Sequence, residues 1–359
     1  MTRRRGAADP VAEFVPVFHP AGLDTALQWA VEAVRVGHWK PMRDLLAETG
    51  RHWGLRTSRS QVLGSAAAGT HVVRQWLEEE PGSVDALVMH ARVNTELVLR
   101  AYRQGHGGIE DLAVQAREAA LSANRTYPAD PVPLVCLLAL ATTDPHQFIK
   151  AHQMPPPENE FLPTGPWRLL HALVERDAFN REGHHRMMQV LLRSRSGGHA
   201  AALDFAQWVW SRVPGESASA LLVLPLHALA EHYRAKREQG LPDAGVGAMH
   251  WRTDTVRAYT DRALRCWFEY SGRVELSAVD LNHLAHALWA ARKFGQAARV
   301  FQTIGPHATP APWIHVANTA GDRYSATQEF ARARGQCLSI AGGDAAPRAG
   351  PTRAARQTW

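Results

Sequence analysis

The sequence predicts an all-α protein, and three observations carry that prediction. Apolar residues recur at helical spacing over most of residues 20–335. Alanine is abundant, while Ile and runs of β-branched residues are scarce. No alternating apolar segment is bounded by the Asn-Gly or Asp-Gly turns of a hairpin. The chain has 359 residues, 45% apolar and 21% charged, with 27 Gly and 22 Pro, which excludes wholesale disorder and a collagen-like chain. That length suits two units or one extended repeat array. The longest apolar stretches, 132–141 and 218–226, fall well short of the roughly 18 residues a membrane helix needs.

Taken in order, residues 1–20 form a basic arm whose Arg3, Arg4 and Arg5 are not followed by an apolar run, so a cytoplasmic location is expected. Residues 21–145 are read as helical repeats. Ala26, Trp29, Ala30 and Ala33 make one helical stripe; Gly37, Trp39, Met42 and Leu46 follow as a turn and a second stripe. Residues 146–166, with Pro155, Pro156 and Pro157, are irregular. Helical repeats resume at 167–237, a Gly-rich linker with Pro242 occupies 238–250, and a third helical block spans 251–340. In that block Leu281, Leu284, Ala285 and Leu288, then Phe294, Ala297 and Phe301, reproduce the offsets of the first hairpin. Residues 341–359 hold little to bury and are expected to be disordered.

A second pattern occurs three times: Gly69, Val73, Trp76, Pro81; Ala116, Ala120, Ala123, Pro128; and Ala202, Ala206, Val209, Pro214. Each is a helix with a small or apolar inner face that ends at a proline, which a helix interior tolerates poorly. With Gly37 and Trp39 at one turn and Gly197 before Ala202 at another, these residues resemble the tetratricopeptide repeat. The resemblance is degenerate and covers about half the chain, because the prolines lie 47 and 86 residues apart instead of the family's 34. It implies antiparallel helix hairpins stacked as an α-solenoid, irregular in the middle. It also implies that the first helix of each hairpin lines a groove, which places Val279, Asn282, His286 and Trp289 there, with Asp24, Leu27, Val31 and Val34 as their counterparts in the first hairpin.

The 19 histidines require metal chemistry to be weighed. Asp280, His283 and His286 are spaced three apart, but on one helix that spacing spreads their side chains over about 120°. His283 and His286 also lie opposite the leucine stripe, which predicts solvent or groove exposure. Glu182 and His185 form a single Glu-x-x-His, half of a di-iron signature. His227 and Glu231, like His171 and Glu175, are four apart and suited to pairing across a helical turn. There is no P-loop, no G-x-G-x-x-G following a strand and no G-x-S-x-G. Cys136, Cys266 and Cys337 are far apart and read as reduced interior residues, and no cofactor is expected.

The net charge of +6 is shared between the two tails and the body, +2 each, and acidic runs such as Glu78-Glu79-Glu80 interrupt the body. That distribution argues against a nucleic-acid face. The sequence thus leads to a non-enzymatic scaffold that holds a protein or peptide partner in a helical-repeat groove, without membrane contact. The reading set against it is a helical enzyme or small-ligand or metal protein that uses clustered His and carboxylate groups.

Overall fold

The computed structural model describes residues 14–157, 161–240, 250–316 and 322–344. Among them are sixteen α-helices and no strand. They are α1 (Thr25–Arg35), α2 (Lys40–Thr49), α3 (Trp53–Ala67), α4 (Val72–Glu79), α5 (Val84–Gln104), α6 (Ile109–Thr126), α7 (Val132–Ala141) and α8 (Trp167–Val174). They continue with α9 (Arg181–Arg193), α10 (His199–Arg212), α11 (Leu224–Glu238), α12 (Asp254–Ala263), α13 (Ala278–Ala290), α14 (Phe294–Ile304), α15 (Trp313–Val316) and α16 (Arg323–Asp344).

Local chemistry sets the helix ends. Asp24, Ser83, Asn180, Thr253 and Ser277 each accept a backbone N–H of the first turn of the helix they precede. Pro41, Pro133 and Pro225 occupy first turns, where no N–H is required. Pro81, Pro128 and Pro214 each stand two residues beyond the last residue of α4, α6 and α10, so all three prolines punctuate helices as the sequence suggests. The segment 146–166 contains no α-helix among its described residues, only a 3₁₀ turn and a bridge between Met154 and Gly165. The basic arm up to residue 13, most of the 238–250 linker and residues 345–359 lie outside the described residues; α16 itself runs into the 341–359 segment as far as Asp344.

The first hairpin packs in a different register from the expected one. Leu27, Ala30, Val31 and Val34 are buried, whereas Ala26 and Trp29 face solvent, Trp29 at 74% exposure. A Trp and two Ala residues mimic an apolar stripe, but the larger inward area comes from Leu and Val. The second helix keeps its expected face, with Trp39, Met42 and Leu46 buried and the Trp39 and Trp76 rings stacked 5.6 Å apart. In α13 the leucine stripe is buried, but so is the opposite side, including Asp280, Asn282, His283 and His286. Every residue of α7 is buried as well.

Helices contact their first and second neighbours along the chain, as α5 does with α6 and α7 and α13 with α14. The two ends of this sequence of helices also meet. The Val17 N–H donates to Pro306 O (2.7 Å) and the Ala308 N–H to Val17 O (3.0 Å), and Phe14 stacks on Phe330. Gly22, with φ +53°, passes α13 so closely that a Cβ there would lie 2.7 Å from the Cβ of Ala278. An open solenoid keeps its ends apart; here the N-terminal segment closes onto the last block.

Charged side chains tie the interior together. Arg92 of α5 is fully buried and donates to both oxygens of Glu182 on α9 (2.9 and 2.8 Å) and to Ser60 Oγ on α3 (3.2 Å). Burial alone would lower the Arg92 pKa, but the Glu182 charge holds it above its ordinary value. Gly64 leaves room for that guanidinium stem, since a Cβ there would overlap Arg92 Cγ. In urea unfolding, Arg92→Met should destabilise by about 3–5 kcal/mol because it takes the bidentate partner from a buried carboxylate and leaves it only Arg186, and Arg92→Met with Glu182→Leu should recover much of that loss. Equal losses in the single and double variants would show that packing, not the lost charge pairing, sets the cost.

Candidate functional site

A cavity of about 1100 Å³ is lined by residues from the first, middle and last helical blocks. Its lining comes from α1, α3, α5 and α9, from the 217–220 and 274–279 segments, and from residues 308–310. Helix α9 forms its spine. Asn180 starts the helix by accepting the Gly183 N–H (2.9 Å), and its amide donates to Thr57 Oγ1 on α3 (3.1 Å). Gly183 then packs against Leu173, while Met187, Met188 and Leu191 enter the core. Arg181, Glu182, Arg186, Gln189 and Arg193 are left on the cavity face, offsets that share one side of a helix.

The cavity charges fall into two groups. Glu182 accepts from Arg186 Nη2 (3.0 Å) as well as from Arg92, and Arg186 also pairs with Glu96 at 3.7 Å. Asp24 is held by Arg59 at 2.8 Å, Glu275 accepts the Gly272 N–H, and Asp177 accepts from Asn180. Burial pushes the Asp177 carboxyl up, opposed by the Asn180 bond. Each acidic group facing the cavity therefore has a partner. Among the described residues Arg103, Arg193 and Arg323 line the same space without a carboxylate partner, and Arg193 and Arg323 are exposed. Three guanidinium groups without a carboxylate partner thus stand against two carboxylates, Asp177 and Glu275, without a cationic one.

Behind Arg181 lies a second polar cluster. Arg181 donates to both oxygens of Asp280 on α13, to Oδ1 at 2.7 Å, and His227 Nε2 of α11 lies 2.8 Å from the same Oδ1. His185 Nε2 is 4.0 Å from that oxygen and has no hydrogen-bond partner among the described residues. The His227 ring stacks on His283 at 3.6 Å. Burial would raise the Asp280 pKa, but Arg181 and His227 bring it far below the carboxylate range. Burial also lowers His185, His227 and His283, against the raising influence of Asp280.

Of the groove residues inferred from the resemblance, Val279 lines the cavity, 39% exposed. Asn282 is inside the packing, where its amide donates to Ala278 O and His307 O and its carbonyl accepts Trp313 Nε1 (2.8 Å). His286 is buried between Trp251 and Trp313, with ring centroids at 4.8 and 5.3 Å. Trp289 is half-buried under α16, bonded to Gln336 and covered by Arg332. Of the first-hairpin counterparts, Asp24 and Leu27 reach the cavity lining, whereas Val31 and Val34 are packed inside. The exposure expected for His283 and His286 is corrected: they are 5% and 1% exposed, because α11, Trp251 and Trp313 cover the side of α13 opposite its leucines.

The triplet Asp280, His283 and His286 does not converge. Among the described residues the one group of three His, Cys, Asp or Glu with ligand atoms within 4.8 Å of one another is His185, His227 and Asp280, drawn from three helices. His227 thus turns to Asp280 and not to Glu231, which pairs with Arg234 at 2.9 Å; His171 and Glu175 do pair, at 3.4 Å. Cys136 and Cys337 are buried and Cys266 is half-buried. No helix of the described residues is long and apolar enough to cross a membrane. No protein-family model matches the chain, and no curated protein matches it.

Burial, with a smaller contribution from His315, pushes His286 down to about 3 from its ordinary 6.5. A depressed folded-state pKa gives stability that is complete above pH 6.5 and is lost as pH falls from there towards 3. At pH 5 the loss from this one group is about 2 kcal/mol. The thermal midpoint should therefore drop between pH 7 and pH 5, and His286→Phe should make that drop smaller. An unchanged pH dependence in the folded variant would show that His286 does not titrate with unfolding.

Proposed function

We propose that this protein is a closed array of helix hairpins, similar to tetratricopeptide repeats, that acts as a binding scaffold and holds an extended acidic peptide segment of a protein partner in its central cavity. The observation that carries this reading is the charge state of the cavity face. Asp24, Glu96 and Glu182 are paired with arginines and Asp177 and Glu275 accept from neutral donors, while among the described residues Arg193, Arg323 and, beyond its Nε bond to Leu99 O, Arg103 face the same space without a carboxylate partner. A guanidinium without a partner recognises carboxylates in a bidentate, directional way. Gln61, Gln189 and Ser65 supply further hydrogen-bonding groups along the cavity, and Leu27, Leu99 and Val279 supply apolar contact. A volume of about 1100 Å³ exceeds what a typical small ligand fills and suits several residues of an extended chain.

The mechanism is selective holding. The Glu182–Arg186–Glu96 set fixes α9 in place before the partner arrives, so binding costs little ordering of the protein. Specificity follows from the mixture of free positive and engaged negative groups: a basic peptide would meet unpaired arginines, and an uncharged one would leave them unanswered.

Panning a random peptide library against the folded protein should enrich Asp- and Glu-containing sequences. Affinity for an enriched peptide, read by fluorescence anisotropy, should fall at least about tenfold in Arg103→Glu, Arg193→Glu and weaken with added salt. Enrichment of basic or uncharged sequences, or an affinity indifferent to the double change, would remove the peptide-scaffold reading.

A further inference from the structure

We propose that His185 Nε2, His227 Nε2 and Asp280 Oδ1 form a three-ligand site for a divalent zinc-class ion, and that the Arg181 guanidinium is the ion's competitor for Asp280. This site lies outside the arginine-lined cavity face and does not depend on the peptide reading. Three observations support it.

The first is geometry. A tetrahedral zinc site with bonds of about 2.0–2.1 Å sets its ligand atoms about 3.3 Å apart. Asp280 Oδ1 lies 2.8 Å from His227 Nε2 and 4.0 Å from His185 Nε2, and one ligand atom from each of the three residues lies within 4.8 Å of the other two. Movements below 1 Å bring both oxygen–nitrogen separations to the required value. The rings of His185 and His227 stand at 87° to each other with centroids 4.5 Å apart, so they approach from different directions and do not overlap.

The second is the unmet valence of His185. Its residue is 9% exposed, and its Nε2 has no hydrogen-bond partner among the described residues. A buried polar atom without a partner costs about 1–3 kcal/mol. Here that atom faces a carboxylate oxygen and a second imidazole, which is the surrounding a metal ligand has. Two imidazoles and one carboxylate are a donor set that first-row divalent ions accept, and a zinc ion with three protein ligands keeps one position open.

The third is the charge that competes for Asp280. His227 Nε2, hydrogen-bonded to Asp280 Oδ1, becomes a donor to the ion once the ring's proton sits on Nδ1. The charge already facing Asp280 is Arg181, whose side chain is 26% exposed and lines the cavity. A long, partly exposed side chain can turn towards the cavity and release Oδ1, which the buried imidazoles cannot do. His283 has a separate role: stacked on His227 at 3.6 Å, it fixes that ring's orientation.

Opposite effects of two substitutions test the proposal. Zinc titration of chelator-treated full-length protein by calorimetry should give one site per chain with Kd of about 1 μM or tighter. Loss of an outer contact costs about 10–100-fold in affinity, so removing a direct ligand in His185→Ala or His227→Ala should cost about 100-fold or more. Arg181→Gln should tighten binding, because it removes the competing cation. His232→Ala, at the separate group of His199, His232 and His250, should leave it unchanged. X-ray absorption of the zinc-loaded wild type should show nitrogen and oxygen ligands only, with two imidazoles, and this holds whether or not the alanine variants fold. The proposal is overturned by absence of one-to-one binding in both wild type and Arg181→Gln, by binding that follows His232 and not His185, or by a spectrum with one imidazole or none.

Discussion

Arg92 and Glu182 meet where α3, α5 and α9 pack together, out of reach of water. An isolated charge at that depth would cost several kcal/mol, so Arg92 cannot be buried without Glu182, which Arg92 and Arg186 together compensate. Their pairing joins positions 90 residues apart and sets the depth and rotation of α9 against the first half of the chain. Arg186 and Glu96 extend the pair towards the cavity, and Asn180 reaches Thr57 alongside it. What the cavity presents is therefore fixed by what lies beneath it. Glu182 faces the cavity with its charge already answered, and the arginines left over give the site its sign.

Closure of the array is the second organising feature. Segment 14–24 reaches the last block through the paired bonds of Val17 with Pro306 and Ala308 and through Gly22 against Ala278. Asp24 caps α1 and also pairs with Arg59, so the start of the first helix is anchored to α3. Arg181 and Asp280 make a further connection between the middle and last blocks. The cavity is thus framed by tertiary contacts that no single hairpin could supply, and the buried polar groups that make those contacts also decide where ionisable chemistry can occur.

The all-α architecture was legible because helical periodicity and proline punctuation act within a few residues. The three prolines at 81, 128 and 214 end their helices as local sterics require, and the leucines of α13 face inward as their spacing implies. Periodicity misled where small residues stood in for large ones: Trp29 lies on an outer face because Leu27, Val31 and Val34 bury more area. In α13 a stripe rule could not distinguish inside from outside, since both sides are covered. The signal for Arg92 is visible afterwards as a charged residue among Met89, Val93 and Leu99 on one helix, but its partner is 90 residues away.

By itself the sequence determined the helical class, the proline stops of three helices and the leucine stripe of α13, because hydrogen bonding and side-chain periodicity are local. It also marked Glu182 with His185, and His227, as residues worth attention. Only the tertiary structure decided that His185 and His227 converge on Asp280, that His283 and His286 are interior, that the ends of the array meet, and which cavity charges remain unanswered. Those outcomes depend on how far apart in space distant helices come to rest. Coulombic pairing and burial act on that distance, and spacing along the chain does not encode it.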